Sequence, residues 1–143
     1  MKIVEEGVFQ VNRPPADVVN FIKNPENVVL IIPGLSNIRK SGDAYVGDLR
    51  VSLGALSGKM FIKFRIDEEG DYVIVRGTAT GLQSTADFTL HVATEPAQGG
   101  ALVKWRFEGA ARGLLASLAP SIVQDALVKL AQDAASNLAK HLS

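Results

Sequence analysis

The stretch YVGDLRVSLGALSGKMFIKFRI, residues 45–66, alternates apolar and polar side chains on both sides of a glycine-bounded turn. Tyr45, Leu49, Val51 and Leu53 share one face, and Asp48, Arg50 and Ser52 share the other. After Gly54 to Gly58, Met60, Ile62, Phe64 and Ile66 alternate with Phe61, Lys63 and Arg65. A two-residue period is that of a strand, and this pattern describes a hairpin with one covered face and one wet face.

The same grammar continues downstream. Ala86, Phe88, Leu90 and Val92 alternate with Asp87, Thr89 and His91, and Val103, Trp105 and Phe107 alternate with Lys104, Arg106 and Glu108. Turn signals separate the runs at Ser41-Gly42-Asp43, Glu69-Gly70-Asp71, Gly81-Leu82-Gln83 and Gln98-Gly99-Gly100. Regular spacing of this kind predicts an antiparallel meander. Tyr72 to Thr80 also reads as a strand, but Val73, Ile74 and Val75 run together and leave its parity open.

Upstream, Ile3 to Asn12 predicts a first strand with Phe9 and Val11 on one face. Asn12-Arg13-Pro14-Pro15 ends it and opens a short helix, because proline is tolerated in a first helical turn. Val18, Val19, Phe21 and Ile22 form that helix's buried stripe, and a second short helix spans about Pro25 to Leu30. Downstream, Val123, Leu127, Leu130, Ala134 and Leu138 recur at helical spacing, with Gln124, Asp125, Lys129, Gln132, Asp133 and Lys140 opposite. Pro120 either starts this helix or kinks it. Laid across the apolar face of the sheet, the helix would be buried, and a sheet curled around it could leave a pocket. Residues 1–143 therefore read as one α+β domain, with about seven antiparallel strands wrapped round a long C-terminal helix.

Composition narrows the function classes. The chain is 47% hydrophobic and 21% charged, and its fifteen basic and fifteen acidic residues cancel. A nucleic-acid-binding domain usually carries a basic excess, so none is expected here. The absence of cysteine removes disulfides, thiolate metal sites and a cysteine nucleophile together. Met1 to Glu6 has no apolar signal core, and no apolar run is long enough to span a bilayer, so a cytoplasmic location is expected.

No catalytic or cofactor motif is readable, and no cofactor, metal site or enzymatic activity is expected. His91 and His141 both read as surface residues. Asp67, Glu68, Glu69 and Asp71 crowd a turn without the spacing of a calcium loop, so solvated charge is expected. Arg50, Lys63, Arg65, Lys104 and Arg106 share the wet face with carboxylates, which predicts cross-strand ion pairs instead of a basic patch.

The apolar face carries the functional reading. The candidate ligand-binding residues are Tyr45, Leu49, Met60, Ile62, Phe64, Phe88, Trp105, Phe107, Leu127 and Leu130. They suit an ordinary core as well as a cavity lining. The Tyr45 hydroxyl and Trp105 indole N–H each need a partner when buried, and either could orient a ligand's polar head. Val28 to Ile32 is too apolar for an ordinary surface helix, and Pro33 and Gly34 follow it. Val29, Ile32, Pro33 and Gly34, with Leu53, Leu56, Leu114 and Leu118, are the candidate portal.

The chain resembles the START-like, or SRPBCC, superfamily and, within it, the CoxG family of carbon monoxide dehydrogenase subunits. The similar residues are Phe9-Gln10-Val11, Pro15-Ala16-Asp17, Asn24-Pro25-Glu26, Ile32-Pro33-Gly34, Tyr45-Val46-Gly47, and Trp105 before Gly109 and Leu114 to Leu118. The resemblance implies a helix-grip fold with a hydrophobic cavity under the long helix. It also implies an accessory role for a carbon monoxide dehydrogenase-type molybdenum enzyme, through a lipid- or quinone-like molecule, with transient membrane contact. The sequence stops at Ser143 without the C-terminal extension of longer members, so anchoring by such an extension is not expected. Two rival readings stay open. One is a START-like enzyme of the cyclase or hydratase type, with Arg76, Thr78 and Thr80 inside the cavity. The other is a protein-interaction module with a filled core.

Overall fold

The computed structural model describes residues 1–142. Its elements follow the expected order: β1 (Lys2–Val11), α1 (Pro15–Ile22), α2 (Pro25–Ile31), β2 (Leu35–Ser41), β3 (Ala44–Leu53), β4 (Leu56–Glu69), β5 (Tyr72–Gly81), β6 (Ser84–Ala97), β7 (Gly100–Gly113), a 3-10 turn (Leu114–Ser117) and α3 (Pro120–His141). One seven-stranded antiparallel sheet has the order β1-β7-β6-β5-β4-β3-β2. The meander β2 to β7 is consecutive, and β1 closes onto β7 at the far side.

Local chemistry sets the helix boundaries. Asn24 caps α2, its side-chain oxygen accepting from the Glu26 N–H at 3.1 Å. Ile32 leaves the helix in extended backbone, and Gly34 follows at φ +86°. The Gly34 carbonyl accepts from the Arg50 N–H at 3.0 Å, and a Cβ on Gly34 would sit 2.7 Å from the Arg50 carbonyl oxygen. The turn thus needs glycine for both its conformation and its close approach to β3. Pro120 starts α3. The Asn137 amide donates to the Ile31 carbonyl at 3.1 Å, tying α3 to the end of α2.

Register settles the open parity of β5. Val73 pairs with Val92, Val75 with Ile66 and Leu90, Gly77 with Phe64 and Phe88, and Ala79 with Ile62 and Ala86. These residues lie on the face that α3 covers. Arg76 pairs with Arg65 and Thr89, so Arg76, Thr78 and Thr80 lie on the opposite, convex face. Arg76 is exposed and meets Asp67 at 3.6 Å. It is therefore a surface ion-pair residue, which corrects its candidacy as a polar group inside the grip.

The covered face is built in rows across the strands. One row reads Tyr45, Phe64, Gly77, Phe88, Gly109, Ile3, and the next reads Gly47, Ile62, Ala79, Ala86, Ala111. Aromatic rings lie over neighbouring glycines. A Cβ on Gly77 would be 2.7 Å from the Phe88 ring and 2.5 Å from the Lys63 carbonyl oxygen. A Cβ on Gly7 would be 2.7 Å from the Trp105 indole. The rings are accommodated against the sheet because the glycines supply no side chain there.

This packing generates a stability prediction. Gly77→Ala forces a methyl into backbone and ring at once, and should cost about 1–3 kcal/mol as an overpacked site. Gly42→Ala meets nothing within 4 Å and carries only the strain of its φ of +64°. Urea denaturation of both variants checks this. A Gly77→Ala loss no larger than that of Gly42→Ala would show that the rings move aside freely.

Candidate functional site

The apolar interior falls into two clusters. The first joins Val11, Val18, Val19, Ile22, Ile31, Val73, Val92, Ala101 and Val103 to Leu138 and Leu142 near the end of α3. The second joins Leu35, Leu53, Met60, Ile62, Phe64, Ala79 and Leu115, with Ile122 and Ala126 of α3 packed against them. Each end of α3 is thus seated on its own cluster. The middle is not: Val123, Leu127, Leu130, Ala131 and Ala134 are half-buried and belong to neither cluster. Phe107 is also half-buried outside both, and stacks on Phe88 with ring centroids 6.1 Å apart.

The ten candidate ligand residues divide across this arrangement. Met60, Ile62 and Phe64 are buried in the second cluster, and Tyr45, Leu49 and Phe88 pack partly buried against it. Trp105 packs partly buried against the first cluster. Phe107, Leu127 and Leu130 are half-buried and belong to neither cluster. Neither the Tyr45 hydroxyl nor the Trp105 N–H makes a hydrogen bond within the described residues.

The portal candidates gather at one end of the molecule. Val29, Ile32, Leu56 and Leu118 are partly buried against the second cluster, Leu53 is buried, and Leu114 is 40% exposed. Pro33 and Gly34 are exposed. Within Val28 to Ile32, the outward residue is Leu30, at 53% exposure, not Val29 or Ile32. Leu82 was missed. It sits at φ +54° in the β5–β6 turn, unusual for a branched side chain, and its tip lies over Gly58. The turns at this end, within residues 51–58, 77–86 and 113–124, contain no charged side chain, and Arg112, paired with Thr85, and the Met1 ammonium, bonded to the Ala111 carbonyl, lie beside them. The opposite end, with Asp43, Glu69, Asp71 and Glu95 near its turns, is acidic.

A second residue missed in the sequence is Glu5. Register pairs it with Phe107 on the covered face, where it is half-buried. The period of β1 was the available signal, since Glu5 has the same parity as Phe9 and Val11.

Most charge on the convex face is paired, but Arg50 and Lys63 make no ion pair among the described residues. Lys104 meets Glu95 at 3.2 Å, Arg112 meets Asp87 at 3.1 Å, Lys59 meets Asp48 at 3.9 Å, and Arg65 meets Asp43. Arg106 bridges Glu6 at 3.1 Å and Glu108 at 2.8 Å. Its hydrogen bond holds the Glu108 carboxyl below the usual range. Two open grooves of about 530 and 620 Å³ also lie on this face. Trp105, Phe64 and Phe88 contribute to their walls because only one β-layer separates the faces. The grooves are shallow and lined by the ion pairs, so they are not the apolar site. Among the described residues, no group of three His, Asp or Glu side chains is placed to hold a metal ion. No helix among them is long and apolar enough to cross a membrane.

The histidines differ. His141 is exposed beside Phe21, with ring centroids 5.7 Å apart. His91 is on the convex face as expected, but it is half-buried and its Nδ1 is hydrogen-bonded to the Tyr72 hydroxyl.

A family model for CoxG, a subunit of carbon monoxide dehydrogenase, matches residues 7–143. Several solved structures share the fold at low sequence identity. A conserved protein from Geobacillus kaustophilus aligns at TM-score 0.83 and 14% identity, over 98% of this chain and 95% of that one. A START superfamily protein from Mycobacterium smegmatis aligns at TM-score 0.75 and 9% identity, over 97% and 96%. The Zhui aromatase/cyclase from Streptomyces sp. R1128 aligns at TM-score 0.74 and 10% identity, over 99% and 94%. These likenesses establish a START-like helix-grip. No curated protein matches the sequence.

The histidine geometry gives a test. His91→Ala should cost roughly 0.5–1.5 kcal/mol, the net worth of one ordinary hydrogen bond. His141→Ala should stay within about 0.5 kcal/mol, as for a plain surface change. Urea denaturation measures both, and equal effects would show that the Tyr72 contact contributes nothing.

Proposed function

Because the chain belongs to the CoxG family of carbon monoxide dehydrogenase subunits, we propose that it binds an apolar small molecule, lipid- or quinone-like, between α3 and the covered face of the sheet. The supporting observation is the middle of α3: Val123, Leu127 and Leu130 are half-buried and join neither buried cluster, although Ile32, Ile66 and Val75 of the surrounding elements pack against both. The row that crosses the middle of the grip, Ile66, Val75, Leu90, Phe107 and Glu5, is apolar but for Glu5. Ligand sites are typically concave and mostly apolar, with few polar groups, and these surroundings fit that description.

The protein would act as an accessory to a carbon monoxide dehydrogenase-type molybdenum enzyme, without a catalytic centre of its own. The end with the uncharged turns is the entry. Leu30 and Leu114 already face solvent there, and Leu56, Leu82 and Leu118 stand behind them. Charged side chains are costly at a lipid interface, so the uncharged turn tips suit brief contact with a membrane or an apolar partner surface. Opening between α2 and the 3-10 turn would let the ligand pass without crossing water. The location would be cytoplasmic.

Two measurements test this. Native mass spectrometry of the purified protein, followed by denaturing extraction, should release an apolar small molecule. Leu127→Trp, which fills the middle of the space, should abolish that co-purification while the fold is retained by circular dichroism. In hydrogen exchange, residues 28–35 should exchange faster than β4 to β7 and become protected when liposomes are added. A segment as protected as the central strands and indifferent to liposomes would be core, and the entry would have to lie elsewhere.

A further inference from the structure

The row of the covered face that crosses the middle of the grip reads Ile66, Val75, Leu90, Phe107, Glu5. Four members are apolar and the fifth is a carboxylate. Glu5 makes no hydrogen bond or ion pair among the described residues. The carboxylates of Glu6, Glu108, Asp87, Asp67 and Glu95, by contrast, are all paired on the convex face. An unpartnered, half-buried carboxylate in an otherwise apolar row needs an explanation.

The neighbouring row supplies the second group. Gly7 pairs with Trp105, so Glu5 and Trp105 are diagonal neighbours across the β1–β7 pair. Diagonal positions are separated by roughly 7–8 Å, within reach of side chains this long. The Trp105 indole, its N–H included, lies over Gly7, 2.7 Å from where a Cβ would be. The indole N–H is a donor only, and a carboxylate is an acceptor only. Both lack a protein partner among the described residues.

A single hydroxyl satisfies both at once, donating to Glu5 and accepting from Trp105. An ether could accept but not donate. A carboxylic acid would place a second anion beside the first. Resting on the apolar-ligand reading above, we infer that Glu5 and Trp105 form the polar end of the site, and that the ligand is an apolar molecule headed by an alcohol or phenol hydroxyl. The competing account is that Glu5 guards the edge strand β1, since an inward-pointing charge discourages edge-to-edge pairing.

Displacement of Nile red, a neutral dye, by three probes of similar chain length separates these accounts. In the unmodified protein, 1-decanol should bind about tenfold more tightly than both decyl methyl ether and decanoate, the size of one good hydrogen bond to a charged group. This comparison needs no variant. Glu5→Gln should bring decanoate to within about threefold of decanol, and Trp105→Phe should weaken decanol several-fold. Three results would overturn the inference. Equal affinity for the three probes in the unmodified protein removes the hydroxyl. An alcohol-to-acid ratio unchanged by Glu5→Gln removes Glu5. A Glu5→Gln protein that self-associates in sedimentation while keeping that ratio makes Glu5 an edge guard. If Nile red binding is insensitive to Leu127→Trp and no probe displaces it, the apolar-site reading itself fails, which is a distinguishable outcome.

Discussion

Backbone pairing runs without a register shift from β3 through β7 and on to β1, and this decides which side chains can meet α3. A shift of one residue in any strand would turn its whole apolar set outward. With the pairing intact, seven strands present one continuous covered face, and every row of that face can be read across the sheet. The pairing is irregular in β2, between Ser36 and Arg39, at the edge and away from the helix. The sheet can therefore curl about α3 as one surface, with its aromatic rings set against glycines of adjoining strands.

That continuity also explains why the interior divides. α3 touches the sheet firmly where Ile122 and Ala126 meet one cluster and where Leu138 and Leu142 meet the other. A straight helix across a curved sheet is held most closely where the curve rises to it. Asn137, bonded to the end of α2, and Ser84, whose hydroxyl accepts from the Leu115 N–H at 2.9 Å, fasten the two ends. Both are polar contacts with defined geometry, so they fix the helix position more tightly than apolar contact alone would. The span between them carries Leu127 and Leu130, half-buried and in neither cluster.

The two faces of the sheet have separate chemistries. On the convex side, opposite charges lie directly or diagonally across strands and neutralise one another, and such exposed pairs contribute little to stability. On the covered side the polar groups are few, and Glu5 and Trp105 stand next to each other at the sheet edge. The molecule is polarised along its length as well, with uncharged turns at the α3 start and acidic turns at the other end.

By itself, the sequence determined the helices, six of the seven strands and most of the covered face; β2 carries no clear alternation and was located only by its pairing with β3. Two-residue alternation in β3, β4, β6 and β7 assigned Tyr45, Met60, Phe64, Phe88, Trp105 and Phe107 to one side, because a strand allows no other period. The family followed from short motifs spread along the whole chain. Other features depended on contacts between distant segments. β5 carries Val73, Ile74 and Val75 in succession, so only pairing with β4 and β6 could place Arg76 outside. Glu5 shares the parity of Phe9 and Val11, but a charge is ordinarily read as solvent-facing, and only the pairing with Phe107 put it on the covered face. The half-buried state of Leu127 and Leu130 was equally invisible in the helical repeat, which shows a face and not its depth. Depth is set by where a straight helix and a curved sheet touch, and that is a property of the assembled tertiary structure alone.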